Sequence, residues 1–292
     1  MAGSNRAERL APAKINLFLH VTHKRPNGYH ELESLVVFAR DPAASDTLAV
    51  APDTQLALDI DGPFGDGLAA EPDNLVLRAA RLLAADRPLG ARLSLRKNLP
   101  LASGIGGGSA DAAAALRLLN QFWQLGHDDD ALARLGLALG ADLPVCLLGQ
   151  PAQMRGIGEI LLPLASSLGP LPPAWLVLVN PGVALPTRDV FAALNGATSP
   201  ADPWPRCPGS AADLAILLRQ RRNDLEAPAR FLAPAIDPVL AALKAQSGCL
   251  LARLSGSGAT CFGLFAEARL AEHAARALGR AHPGWWVAAT AI

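Results

Sequence analysis

The stretch PLASGIGGGSADAAAALRLLN, Pro100 to Asn120, constrains this chain more than any other. Gly104, Gly106, Gly107 and Gly108 crowd one turn, and an alanine- and leucine-rich run at helical spacing follows. Glycines let a backbone come close to a ligand, and a helix start offers unpaired N–H donors and a partial positive charge. A short alternating strand, a glycine loop and a helix in that order therefore describe an anion-binding turn, with phosphate the expected anion. A flexible, tightly packed strand-to-helix turn is the alternative. Neither of two familiar phosphate loops matches. A GxxxxGK[ST] loop is excluded because Gly108-Ser109-Ala110 carries no lysine. The dinucleotide GxGxxG pattern fails as well, since Ser109 stands where its third glycine belongs. Any cation that such a loop needs must come from elsewhere in the chain.

Lysine is scarce, occurring only at positions 14, 24, 97 and 244 among 26 cationic side chains. Lys14 opens KINLFLHV, which alternates strictly. Ile15, Leu17, Leu19 and Val21 share one face, and Lys14, Asn16, Phe18 and His20 share the other. This pattern predicts a strand with one core face and one polar face, the latter either solvated or the wall of a site. Pro26-Asn27-Gly28 signals a turn, and Tyr29 to Arg40 returns as a second strand, making a hairpin. Tyr29 is the chain's single tyrosine. With His30 it forms either a surface pair at a hairpin end or a pair that stacks on a flat base and hydrogen-bonds its edge.

The remaining pattern alternates strands and helices. Strands are expected over 47–51, 55–60 and 91–95, with a helix from Asp73 or Asn74 to Ala85. After the glycine loop a helix over 109–123 is followed by a second, capped in His127-Asp128-Asp129-Asp130 and ending at Gly140. Two consecutive helices break the βαβ unit of dinucleotide-binding dehydrogenases. In Gly140-Ala141-Asp142-Leu143-Pro144, Asp142 reads as the N-cap of a short helix, or as a carboxylate held where it can accept a proton. The two roles are compatible. Beyond a proline-rich connector at 163–173 come a strand at 175–179, a short helix at 188–194 and a loop at 197–210. Helices at 211–220 and 236–246 precede a strand–glycine turn–strand unit around Ser255-Gly256-Ser257-Gly258, a helix to Gly279 and a last strand at 285–291. The mixture predicts an α+β protein in two parts, residues 1–165 and 166–292.

Composition narrows the function. Lys+Arg and Asp+Glu balance at 26 each, which argues against nucleic acid or an anionic membrane as partner. The four cysteines show no C-x-x-C pair, so they read as thiols of a reducing compartment rather than as a zinc site. A polar, charged first ten residues predicts no signal peptide, and prolines interrupt the longest apolar stretch. A soluble, cytoplasmic protein is expected.

Several motifs together resemble the GHMP kinases over nearly the whole chain: APAKINLFLHV (11–21), RPNGYHELES (25–34), DNLVLRAARLL (73–83), PLASGIGGGSADAA (100–113), LGADLPV (139–145), GIGEIL (156–161), NPGVALPT (180–187) and LSGSGATCFGLF (254–265). The lysine strand, the Gly-Tyr-His turn and the Gly-Ala-Asp-Leu-Pro stretch match the branch whose acceptor carries a cytidine diphosphate. The resemblance implies an N-terminal domain like ribosomal protein S5 domain 2 and a ferredoxin-like C-terminal domain. It implies that Pro100, Leu101, Ala102, Ser103, Gly104, Ile105, Gly106, Gly107, Gly108, Ser109 and Ala110 wrap the phosphates of ATP, with Asn74 and Lys97 near the adenosine and Mg2+ accompanying the nucleotide. Lys14 and Asp142 become the catalytic pair. Tyr29 and Phe191 flank the cytosine, His30 reads its edge, Asn16 and Thr187 meet the polyol or its phosphate, and Ile157 lines the wall. The chain departs from the pattern at Ala102-Ser103, where glycines often stand, and the 197–210 segment receives no role.

Overall fold

A computed structural model describes residues 7–26, 28–66, 68, 73–196 and 198–292. Its strands are β1 (Ala7–Pro12), β2 (Lys14–Lys24), β3 (His30–Phe38), β4 (Ser45–Ala51), β5 (Leu56–Asp61), β6 (Ala91–Arg96), β7 (Ala152–Gly156), β8 (Ile160–Pro163), β9 (Trp175–Asn180), β10 (Leu251–Leu254), β11 (Cys261–Phe265) and β12 (Trp286–Ala291). Its helices are α1 (Leu75–Ala84), α2 (Gly107–Phe122), α3 (Asp129–Leu139), α4 (Leu143–Leu148), α5 (Leu164–Ser167), α6 (Thr187–Ala192), α7 (Ala211–Arg219), α8 (Glu226–Leu232), α9 (Ile236–Lys244) and α10 (Ala268–Ala281). Two compact units result. The first holds residues up to Ala13, Ser45–Leu101 and Gly106–Gly149, and the second holds Lys14–Ala44, Ala102–Ile105 and Gln150–Ile292. The units interleave along the chain instead of meeting at one point near residue 165, and the connector at 163–173 lies inside the second.

In the first unit the sheet runs β1-β4-β6-β5, with β5 and β6 parallel and the other pairs antiparallel. Period-two patterning sets its faces: Ala91, Leu93 and Leu95 of β6 are buried while Arg92 and Arg96 are exposed. The apolar side packs on α1 and α2, and the alanines at 110 and 112–115 let α2 lie close. Asn74 caps α1, its Oδ1 accepting from the Val76 N–H at 2.8 Å. Asp128 caps α3 in the same way and Gly140 ends it, as the sequence predicts. The helix after the glycine loop starts two residues earlier than its sequence spacing suggests. Gly106 takes the cap position at φ 65, a left-handed conformation that favours glycine, so the last glycines already belong to the helix.

The second unit contains two antiparallel sheets, β2-β3-β7-β8 and β10-β11-β9-β12. Leu19 and Val21 join the core that Val177, Val179, Phe265, Leu243 and Leu278 build around the latter sheet. One expectation is corrected here. Residues Lys14 to Val21 are buried on both faces, and a register shift between Asn16 and Phe18 interrupts the alternation that suggested a simple polar face. Strands β1, β7 and β8 and helix α8 were not anticipated. Pro228 sits in the first turn of α8, where a missing N–H costs nothing.

The 197–210 segment, described from residue 198, is a packed strap. The Ser199 N–H donates to Val21 O at 2.9 Å, and the buried Trp204 stacks on Phe18 at 6.0 Å. The Arg221 guanidinium covers both rings at 5.6 and 5.1 Å and pairs with Asp202 at 2.9 Å. The Asp202 N–H also donates to Glu33, tying the strap to β3.

Candidate active site

Within the second unit, three segments far apart in sequence converge. The Lys14 N–H donates to Ile105 O at 2.9 Å, so the lysine strand runs beside the first half of the glycine loop. The buried Lys14 ammonium donates to Asn16 Oδ1 at 3.0 Å, and Asn16 Nδ2 donates to Ser34 Oγ at 2.7 Å. The Asn16 N–H reaches Ser255 Oγ at 3.1 Å, and that hydroxyl donates to Gly104 O at 3.1 Å. The Thr260 N–H donates to Ser103 O, and Leu185 N–H to Ala102 O, both at 3.0 Å. Gly104 packs against the second glycine turn backbone to backbone. A Cβ there would lie 2.4 Å from Gly258 N and 2.5 Å from Ser255 O. Ser255 and Ser257 were missed in sequence, because SGSGAT alone reads as a tight hairpin. Ala102 holds a left-handed φ of 45, a conformation that favours glycine.

In the first unit the loop continues as the start of α2. No side chain caps this helix and its first turn contains no acidic residue, so no capping side chain occupies the N–H donors that open it at Gly107, Gly108 and Ser109. Pro100 and Ala110 are buried, and Leu101 is half-buried. Asn74 is buried with its Oδ1 committed to the α1 cap. Lys97 is buried too, its ammonium bonded to Asp46 and to Asp111 at 2.6 Å. Asp142 occupies the N-cap position of α4 with Pro144 in the first turn, as the sequence suggests. It sits at φ −83, ψ −11 and makes no side-chain cap hydrogen bond, so the capping half of its expected role is corrected.

The aromatic group lies in the second unit. Tyr29 is 57% exposed and follows the turn closed by the Gly28 N–H donating to Arg25 O. His30 stacks on Phe191 at 4.9 Å and 22°. Burial, then the charge of Lys24, lower the pKa of His30, which leaves a neutral ring with one donor and one acceptor nitrogen. Thr187 opens α6 and shares a 2.9 Å hydrogen bond with Ser257 Oγ. Ile157 lies half-buried in the β7–β8 turn, its N–H donating to Glu159 Oε2 at 2.5 Å. Among the described residues no group of three or more His, Cys, Asp or Glu side chains could hold a metal ion.

Comparison with known proteins places this arrangement. The model of the GHMP kinases N terminal domain matches residues 74–150, and that of the GHMP kinases C terminal region matches residues 208–284. A 4-diphosphocytidyl-2-C-methyl-D-erythritol kinase of Cereibacter sphaeroides is 56% identical across 96% of this chain and 97% of its own. This chain belongs to the GHMP kinases. The same enzyme of Parvibaculum lavamentivorans is 53% identical over 96% of each chain. A crystal structure of 4-(cytidine 5'-diphospho)-2C-methyl-D-erythritol kinase matches this GHMP kinase with a TM-score of 0.73 and 39% identity, covering 98% of both chains. Homoserine kinase from Cytophaga hutchinsonii, at 18% identity and a TM-score of 0.71 over 99% and 96% of the chains, shares the fold. The first matched segment contains the glycine loop and Asp142, and the second contains the Ser255–Thr260 turn. No described helix is long and apolar enough to cross a membrane.

Proposed function

We propose that this GHMP kinase transfers the γ-phosphate of ATP to a hydroxyl of 4-diphosphocytidyl-2-C-methyl-D-erythritol, giving the 2-phosphate and ADP in isoprenoid precursor synthesis. The observation that carries the reading is the Lys14 N–H to Ile105 O bond. It supports a loop whose cation comes from a separate strand, the feature missing from the loop itself. The names of the relatives supply the acceptor.

On this reading the backbone of Pro100–Ala110 and the α2 N-terminus hold the ATP phosphates, with Asn74 and Lys97 on the adenosine side. Mg2+ enters on the nucleotide as part of the substrate. Asp142 accepts the proton of the attacking hydroxyl, and Lys14 orients that hydroxyl and steadies the charge that develops in transfer. Asn16 supports Lys14 through its Oδ1 and, with Thr187, lies toward the polyol. Tyr29 and Phe191 flank the cytosine, His30 meets its edge, and Ile157 lines the wall. The neutral imidazole suits a base edge that offers both donor and acceptor. The cysteine pattern suits a cytoplasmic enzyme.

A coupled assay of ADP release tests the acceptor. Turnover is expected with 4-diphosphocytidyl-2-C-methyl-D-erythritol and not with homoserine or mevalonate. Preference for either of the latter would replace this acceptor while leaving the kinase family intact.

A further inference from the structure

The buried Lys97, set above on the adenosine side, is also the centre of an ion cluster whose carboxylates have been given no part so far. Its side chain and those of Asp46 and Asp111 are 2%, 0% and 3% exposed. Asp46, on β4, spends both oxygens. One accepts from the Lys97 ammonium, and the other accepts the N–H groups of Asn98 at 2.6 Å and Leu99 at 2.8 Å. Asn98 Nδ2 returns a bond to Ser45 O at 3.1 Å. Asp111 lies on α2, one turn beyond the glycines. The ammonium itself lies under the helix start, since a Cβ on Gly107 would be 3.1 Å from Lys97 Nζ and 3.7 Å from Asp46 Oδ2.

Burying three ionisable groups is a costly way to gain stability, because apolar side chains of similar volume fill such a space as well or better. What the cluster supplies is direction. It ties β4, the residues that lead into the loop and the first turns of α2 to one point, directly beneath the N–H donors. We infer that Asp46 is a positioning residue for ATP, fixing through Lys97 and the Asn98 and Leu99 N–H groups the place where the phosphate loop begins and its helix starts. The inference rests on the reading that Pro100–Ala110 holds ATP.

Asp46→Asn tests it. An amide has one acceptor oxygen, so it must turn its NH2 toward either the ammonium or the backbone N–H pair. Asp111→Asn keeps an acceptor for Lys97 and leaves the Asp46 clamp intact. Steady-state titrations of both substrates, calorimetric titration with MgATP and thermal melts are run on the full-length wild type, these variants and Gly106→Val. Asp46→Asn is expected to raise the KM and Kd for ATP by about tenfold or more with the acceptor KM nearly unmoved, and Asp111→Asn by under about threefold. A lower Tm and kcat with both KM values unchanged would mean a merely structural role and overturn the inference. Should Asp46→Asn not fold, Asp46→Ala removes the clamp while Asp111 still accepts from Lys97, and the same ATP-selective rise is expected; a wild-type KM for ATP there overturns it equally. If Gly106→Val leaves ATP affinity intact, the loop reading itself fails. If Gly106→Val weakens ATP while Asp46→Asn does not, only the positioning role fails.

Discussion

Asp111 sits among opposing influences. Burial pushes its carboxyl up, Lys97 pulls it down and Asp46 pushes it up again, with a resulting pKa of about 7 against an ordinary 3.8. Burial works against the Lys97 ammonium, yet the two carboxylates outweigh it and its pKa is raised. The folded chain therefore keeps a proton on Asp111 that the unfolded chain releases near pH 4. The stability this proton contributes is fully present below about pH 4 and is lost as pH rises through about 7, at up to about 1.4 kcal/mol per unit. Asp111→Asn cannot lose that proton. Denaturant melts between pH 5 and 8 should show the wild type losing stability relative to the variant as pH rises. Parallel curves would mean that Asp111 is ionised throughout and the cluster carries a net negative charge.

At the level of elements, two glycines of the same loop are expected to respond oppositely. A methyl at Gly104 would strike the backbone of Gly258 and Ser255, and its φ of 74 adds strain for any other residue. Gly104→Ala should cost more than about 2 kcal/mol. Gly108 has nothing within 4 Å of its Cβ position and lies in α2, so Gly108→Ala should be neutral or stabilise by up to about 1 kcal/mol. Urea melts of the two variants decide the matter, and equal losses would refute the packing of Gly104 on the second glycine turn. The loop and the elements flanking it were legible because their signals are local: a glycine run, Asn74 and Asp128 at helix starts, and period-two alternation in β6. The strap was not legible, because Trp204 packs on Phe18 only after long stretches of chain have folded back, and nothing in ATSPADPWPRCPGS encodes that partner. Polar Asn16 and His20 on β2 left a solvated face and a site wall as alternatives for the same reason. Their burial depends on Ser34, on the Arg222 N–H that reaches His20 Nε2, and on a bulge invisible to alternation. Asp46 and Asp111 had no spacing that set them apart from surface acids. Asp142 was placed correctly at a helix start, but its missing cap bond could be seen only in three dimensions.

The molecule as a whole must handle two nucleotides, ATP and a cytidine-linked acceptor, and the contacts proposed for each differ in kind. On this proposal backbone donors and a helix end hold phosphate, whereas an aromatic group holds the base. Tyr29, largely exposed and without another tyrosine to replace it, directly precedes His30, whose ring stacks on Phe191. If that ring lies on cytosine, Tyr29→Ala should remove about 1–3 kcal/mol of stacking. The acceptor KM then rises roughly ten- to hundredfold, since about 1.4 kcal/mol is tenfold. The effect belongs in KM because a contact remote from the transferred phosphoryl acts alike in the ground and transition states. Tyr29→Phe keeps the ring face and should be nearly silent, and the KM for ATP should not move in either variant. Asp142→Asn should behave in the opposite way. As the proposed proton acceptor it acts in the transfer step, so kcat falls by about a hundred- to ten-thousandfold while both substrates still bind. Steady-state titrations of wild type and all three variants, with calorimetric binding for the slow one, separate the two roles. An unchanged acceptor KM in Tyr29→Ala, or a loss of ATP affinity there, would remove the cytidine assignment. A kcat within a few-fold of wild type in folded Asp142→Asn would leave the base to be found among other residues, because a group that takes the proton in transfer cannot be replaced by an amide that has no basic oxygen to offer.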